Sequence, residues 1–416
     1  MLLLSATRLV VAWTPAPVIP TSYGPVVGSL ESNGVARYLG VPFAAPPVGS
    51  RRFAAPFPPA PWTSVLNAST LPPICPQFNG NGDVAPLPES EDCLLLRITV
   101  PPRSDGEKFP VLAYVHGGTN VAGGFSAPES TADWSRATAT IIIEIPYRLG
   151  VLGFAAFDGS VATWDSNAGI RDAALGLQWV RANAAAFGGD IERVTLGGES
   201  SGAVDILALL VSPGSAGTFS SVMWHSGGAI SWKPSLAIAT TATFAADAHL
   251  NCTGPPEVVL ECMRAAPVSV LQNASYSSAA EPNTVMIDRD VLPASVLRLI
   301  REGRFPRNVT FLVLLNSYEG DSFIPCSAPP ACEMSELAYN MTMQAIAQTD
   351  FGANETFISL LHTAYDAHVP THGYFGALSK LVSDFMSCSG RALAFAGEQF
   401  GRQSFRVNQS QVSALV

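Results

Sequence analysis

The sequence predicts an α/β fold, a central mostly parallel sheet with helices on both faces, and three observations predict it. Apolar runs of strand length alternate with runs at helical spacing along the chain. One of them, Ala139-Thr140-Ile141-Ile142-Ile143-Glu144-Ile145, is β-branched and apolar on both faces, as a central strand should be. A strand, a tight glycine turn and an apolar helix follow one another around Ser200.

Taken in order, Gly24 to Phe53 holds two short strand-like runs, then Gly40-Val41-Pro42-Phe43-Ala44-Ala45-Pro46-Pro47-Val48-Gly49, where Pro and Gly forbid regular structure. Pro110 to Val115 is rich in strand formers and ends at His116-Gly117-Gly118. Between Asp172 and Ala186, Ala173, Leu177 and Val180 recur at helical spacing, and Gly188-Gly189 stops the helix. Val194 to Leu196 is the strand that enters the turn. Ala203 to Leu210 (AVDILALL) reads as apolar and free of Pro and Gly, the helix that leaves it. Ser220 to Trp224 and Thr310 to Leu315 are further apolar strands. No repeat or low-complexity linker divides the chain.

With 48% hydrophobic and 13% charged residues, 416 residues can bury a large core. A net charge of −10 and the lack of a basic run exclude nucleic acid as an expected partner. The longest apolar runs fall short of the ~18 residues of a membrane helix. Residues 1–15 are a candidate secretory signal, short, apolar and ended by a small residue before a Pro-rich stretch, with Arg8 as its irregular feature. Residues 16–416 form one domain. Seven N-x-[ST] sequons, at Asn67, Asn251, Asn273, Asn308, Asn340, Asn354 and Asn408, lean towards a secreted glycoprotein.

The cysteines agree with that compartment. Cys75 and Cys93 bracket a Pro- and Gly-rich loop, Cys252 and Cys262 a shorter one, and Cys326 and Cys332 a Pro-Pro turn. These read as three local disulfides, since their spacings do not match zinc sites. Cys388 is left over, short of a partner or a free buried thiol. No metal or cofactor is expected.

Gly198-Glu199-Ser200-Ser201-Gly202 fits G-x-S-x-G, a sharp strand-to-helix turn that lifts a serine hydroxyl for attack. A serine is a poor nucleophile at neutral pH. It needs a base to take its proton, an acid to orient the base, and backbone donors for the oxyanion. His116-Gly117-Gly118, after a strand and ahead of the serine, suits the donor loop.

At this point the chain, from roughly Gly24 to Phe405, resembles the type-B carboxylesterases, the cholinesterase-like branch of the α/β-hydrolases. The landmarks are the Gly40–Gly49 segment with Arg52-Phe53, Glu91-Asp92-Cys93-Leu94, Val115-His116-Gly117-Gly118 and Tyr147-Arg148-Leu149-Gly150 through Phe154. Asn167-Ala168-Gly169, Trp179-Val180, Phe187-Gly188-Gly189-Asp190 and the serine turn follow in order. The resemblance implies an α/β-hydrolase fold and Ser200 as nucleophile. It implies oxyanion donors on the backbone of Gly118, Thr119 and Ser201, with Thr119 where the family usually has a third glycine and Ser201 where it has alanine. Asn316-Ser317-Tyr318-Glu319-Gly320 looks like the family's acid loop, making Glu319 the acid; Asp321 lies close by but does not precede glycine. Cys75–Cys93 and Cys252–Cys262 fall where the family closes its loops.

The resemblance fails at the base. The family's histidine lies in a His-Gly segment beyond the strand that Ser404-Phe405-Arg406-Val407 resembles, and none of the six histidines stands there. His372-Gly373 imitates the dipeptide ahead of that strand, and His225 follows the strand after the serine helix. The expectation is either an active esterase cut short at its C-terminal part or a protein without its base; as it stands, turnover should be very weak. The substrate is expected to be a small-molecule ester with a short or medium acyl group. Choline esters are disfavoured, because Phe78 is the one aromatic residue in the Cys75–Cys93 loop, where cholinesterases place a tryptophan for cation–π attraction. The rival reading is a non-catalytic relative with a binding or adhesion role.

Overall fold

The computed structural model describes residues 14–78, 88–102, 106, 108–126, 128–158, 164–228, 230–277, 280–288, 290–316, 319, 334–351, 355–399 and 404–409. A ten-stranded sheet runs through it. Its strands are β1 (Thr14–Pro15), β2 (Ser29–Leu30), β3 (Ala36–Pro42), β4 (Leu95–Val100), β5 (Phe109–Val115), β6 (Ile141–Glu144), β7 (Gly189–Glu199), β8 (Ser221–His225), β9 (Thr310–Asn316) and β10 (Ser404–Gln409), in the spatial order β1-β2-β3-β4-β6-β5-β7-β8-β9-β10. The pairings from β6 to β10 are parallel, and those from β1 to β6 are antiparallel. The sequence reading did not separate this antiparallel edge from the rest. A second, three-stranded sheet is formed by Ile19–Pro20, Pro25–Val27 and Leu66–Asn67.

The centre of the sheet follows the sequence. Ile141, Ile142 and Ile143 are all buried, and the parallel neighbours of β6 and β7 align Val111 to Tyr114 with them in register. Helix α1 (Pro128–Thr138) covers β4 and β6 on one face. Helices α2 (Ala168–Asn183) and α3 (Ser201–Val211) lie on the other side, with α3 against β7, β5 and β8. The kinked helix α4 (Val369–Gln399) packs on β9 and β10, and a Cβ at its Gly390 would touch Trp224 and Val313. The predicted stop at Gly188 is real: its φ of +90° closes the turn after α2.

Two disulfides match expectation, Cys75–Cys93 and Cys252–Cys262. Cys388 carries a free thiol that is exposed, so the buried alternative is corrected. Cys326, Cys332, Asp321, the sequon at Asn354 and most of the candidate signal (residues 1–13) lie outside the described residues. Asn67, Asn251, Asn273, Asn308 and Asn340 are all exposed. Among the described residues, no helix is long and apolar enough to cross a membrane.

Among the described residues, one face of the sheet is unevenly covered. In β8 and β9 the side chains on the α4 side, Val222, Trp224, Phe311, Val313 and Leu315, are fully buried. Their alternates Met223, His225, Leu312 and Leu314 are half-buried. Beside them, Tyr114, Ile142, Met223, Leu314 and the 41% exposed Trp134 of α1 line a cavity of about 320 Å³. Parallel strands are ordinarily covered on both faces, and an open apolar patch binds apolar probes. The 416-residue chain should therefore enhance the fluorescence of anilinonaphthalene sulfonate severalfold in native buffer, and Leu314→Lys should remove most of that signal.

Candidate active site

Ser200 sits between β7 and α3 with φ 56° and ψ −125°, a strained conformation for a residue with a side chain. The sharp turn is possible because its flanks carry no Cβ. One on Gly198 would meet the Gly202 carbonyl, and one on Gly202 would run into the backbone oxygens of Val115 and His116. Strain is held by the frame: Ser200 N–H donates to the His225 carbonyl of β8 at 3.0 Å, and the Ser200 carbonyl accepts from Ala203 and Val204.

The donor loop lies opposite. Gly118 has φ +112°, and Thr119 and Asn120 follow at +54° and +58°. The Gly118 carbonyl turns inward to accept from Val121 and Ala122 N–H, at 3.1 and 3.0 Å. The N–H groups of Gly118 and Thr119 make no intramolecular hydrogen bond among the described residues. Ser201 N–H opens α3 and, as a first-turn donor, has no helical acceptor. Three donors are thus left open around Ser200. His116 does not face it as a base: its ring stacks on Tyr147, its Nδ1 is 2.8 Å from the Gly117 carbonyl, and burial pushes its pKa down to about 4.

Glu319 is buried beyond the end of β9. Its Oε1 accepts from Ser226 Oγ and from Asn316 N–H, both at 2.7 Å, and its Oε2 accepts from Asn316 Nδ2 at 3.2 Å. Ser226 and Asn316 were not singled out from sequence; as the residues ending β8 and β9, they were readable only once those strand ends were known to be neighbours. Glu199 adds a second carboxyl, raised by burial and then by the charge of Glu319.

Among the described residues, no imidazole bond to Ser200 or Glu319 is found, and the side chain of His372 lies outside them. His249 bonds Asp247, and His362 bonds Asp366. His225 gives Ser200 only its backbone oxygen. Its ring lines the 320 Å³ cavity with Glu199, whereas Ser200 lines a separate pocket. Burial lowers the His225 pKa, and the charge of Glu319 opposes this.

The Ser200 pocket has a volume of about 170 Å³ and is walled by Thr119, Asn120, Val204, Ile230, Asn283 and Met386. Thr119 stands in it.

A sequence model described as the carboxylesterase family matches residues 15–386. The chain belongs to the carboxylesterase family. Para-nitrobenzyl esterase of Bacillus subtilis (strain 168) is 38% identical over 233 residues, 55% of this chain and 47% of that protein. Neuroligin-2 of Homo sapiens is 33% identical over 392 residues, 82% of this chain and 46% of that protein. The chain spans about half the length of these curated relatives. A solved thermophilic para-nitrobenzyl esterase superposes with a TM-score of 0.80 at 26% identity, covering 94% of this chain and 79% of that one. The α/β-hydrolase fold is thereby the family's own, and ester hydrolysis is an activity the carboxylesterase family contains.

Proposed function

We propose that this carboxylesterase-family chain is a serine ester hydrolase that works through an acyl-enzyme on Ser200. The observation that carries the reading is the strained Ser200 facing three open backbone donors, on Gly118, Thr119 and Ser201, with the buried carboxylate of Glu319 near the strand ends. Attack by Ser200 Oγ would place the substrate oxygen among those donors, where positioned N–H groups stabilise the tetrahedral oxyanion. Glu319, already held on both oxygens, is suited to orient an imidazolium and hold its charge. The imidazole itself has to come from outside the bonds described above, so hydrolysis by the 416-residue chain should be slow.

Pocket size sets the acyl group. A volume of about 170 Å³ is small and suits a short acyl group such as acetyl to butyryl. The test is a series of p-nitrophenyl esters, corrected for hydrolysis in buffer. Rates should hold from acetate to butyrate and fall at least about tenfold by decanoate, with Met386→Ala moving the fall to longer chains. A rate that climbs with chain length would remove this pocket from acyl recognition.

The two disulfides and five exposed sequon asparagines support export through an oxidising, glycosylating compartment. A second reading, a binding protein on an esterase frame, is favoured by one observation alone, that no imidazole is bonded to Ser200 or Glu319 among the described residues.

A further inference from the structure

Helix α3 carries a single ionisable residue, Asp205, in its second turn. It is completely buried and takes part in no ion pair among the described residues. Its Oδ1 accepts from Asn120 Nδ2 at 3.2 Å, and among the described residues its Oδ2 has no hydrogen bond of normal geometry, with the Tyr147 hydroxyl as its polar neighbour. A carboxyl in such a place is expensive unless it does something, and what it touches is the donor loop.

Asn120 is the node of that loop. Its N–H donates to Ser201 Oγ at 3.2 Å, and its carbonyl accepts from Gly150 N–H at 2.6 Å. Its Oδ1 accepts from the Tyr147 hydroxyl at 2.9 Å, and its Nδ2 donates both to Asp205 and to the Asn283 carbonyl. The same Tyr147 hydroxyl is 2.9 Å from the His116 carbonyl. Thr119 and Asn120 are consecutive left-handed residues with side chains, a turn that relaxes unless its bonds hold it.

We propose that Asp205 is a positioning residue for the oxyanion donors, clamping Gly118–Asn120 against Ser201 through Asn120 and Tyr147. The clamp depends on charge. A phenol has one proton to give, and here it is shared between Asn120 Oδ1 and the His116 carbonyl, each 2.9 Å away. Ionised Asp205, which interacts with that hydroxyl, would compete for the same proton and draw it off the loop. Burial raises the Asp205 pKa to about 8, so the carboxyl is neutral at pH 7 and ionises in the alkaline range. Of the other titratable groups on the surrounding elements, burial raises Tyr114 to about 12 and also raises Glu199. Tyr147 is pushed well above its usual range by burial, and His116 down to about 4. Arg148 is forked onto Asp172, while Glu281, raised to about 7, accepts from Val151 N–H.

The consequence for catalysis rests on the proposed role of Ser200; the clamp does not. The test is therefore hydrogen exchange of the 116–123 segment by mass spectrometry at pH 6.5 and 9.0, corrected for intrinsic rates, alongside p-nitrophenyl acetate hydrolysis. Protection should fall at least about tenfold at pH 9.0 in the parent chain and in Glu281→Gln, and stay within about twofold in Asp205→Asn. Should Asp205→Asn not fold, Tyr147→Phe should show low protection at both pH values. A parent chain with no pH response, or an Asp205→Asn or Tyr147→Phe chain that responds as the parent does, overturns the clamp. Exchange that responds, together with a 4-methylimidazole gain in hydrolysis no larger in the parent than in Ser200→Ala, removes the Ser200 reading and leaves the clamp standing.

Discussion

Added 4-methylimidazole should accelerate ester hydrolysis by the 416-residue chain on the order of 10²-fold at pH 7.5, and Ser200→Ala should erase that gain. A positioned general base contributes about 10²–10⁴-fold, and a diffusing one recovers the lower part of that range because its orientation is not prepaid. The slot has the right electrostatics for an imidazolium. Glu319 and Glu199 are close enough for the charge of one to raise the pKa of the other, and no cation is paired with Glu319 among the described residues. Imidazoles also cleave activated esters in free solution, so the comparison is with Ser200→Ala at the same imidazole concentration. Without imidazole, Ser200→Ala should cost little, because members of a catalytic unit are strongly non-additive and no imidazole is bonded to Ser200 among the described residues. Glu319→Gln should keep a reduced gain, losing the charge that stabilises the imidazolium. An imidazole gain of equal size in parent and Ser200→Ala would show that catalysis does not pass through this serine.

The parts of this site differed in how far sequence could reach them. Ser200 was legible because its mechanics are local: Gly198 and Gly202 are needed within two residues of it, and a strand and a helix must flank it. Glu319 was not legible in that way. It lies far along the chain, and its acid role came from resemblance to a loop, while the partners Ser226 and Asn316 became visible only when β8 and β9 were seen to be adjacent. Asp205 was missed for a different reason. One carboxyl in AVDILALL hardly changes the mean polarity of a helix, yet the other face of that helix is fully committed to the core. A charged residue inside an otherwise apolar run was the available signal. The half-covered face of β8 and β9 could not be read at all, since alternation within a strand says which side chains share a face and not what lies over them.

Arg148→Ala should destabilise the fold by about 3–5 kcal/mol in urea unfolding, the usual result of removing one partner of a buried pair. Arg148 and Asp172 are both fully buried. Arg148 Nε and one terminal nitrogen each reach a different oxygen of Asp172 at 2.7 Å, and Arg148 N–H adds a third bond at 3.0 Å. Alanine would leave the carboxylate of α2 in the interior with that N–H alone. Arg148→Lys keeps the charge but not the planar fork, so it should recover part of the loss and fall short of the parent. Arg148→Met with Asp172→Leu removes both charges at similar volume and should be far less damaging than either single change, as apolar replacement of a buried pair often is. The site should feel the difference. Tyr147, one residue before Arg148, holds the His116 carbonyl and Asn120, and Gly150, two residues after it, donates to the Asn120 carbonyl. The ion pair thereby anchors both ends of the segment on which the donor loop rests. The double variant should unfold at nearly the parent urea concentration, yet show faster exchange in residues 116–123 than the parent. Unchanged exchange there would mean that the loop is set by Asn120 and Ser201 alone and owes nothing to the pair beneath it.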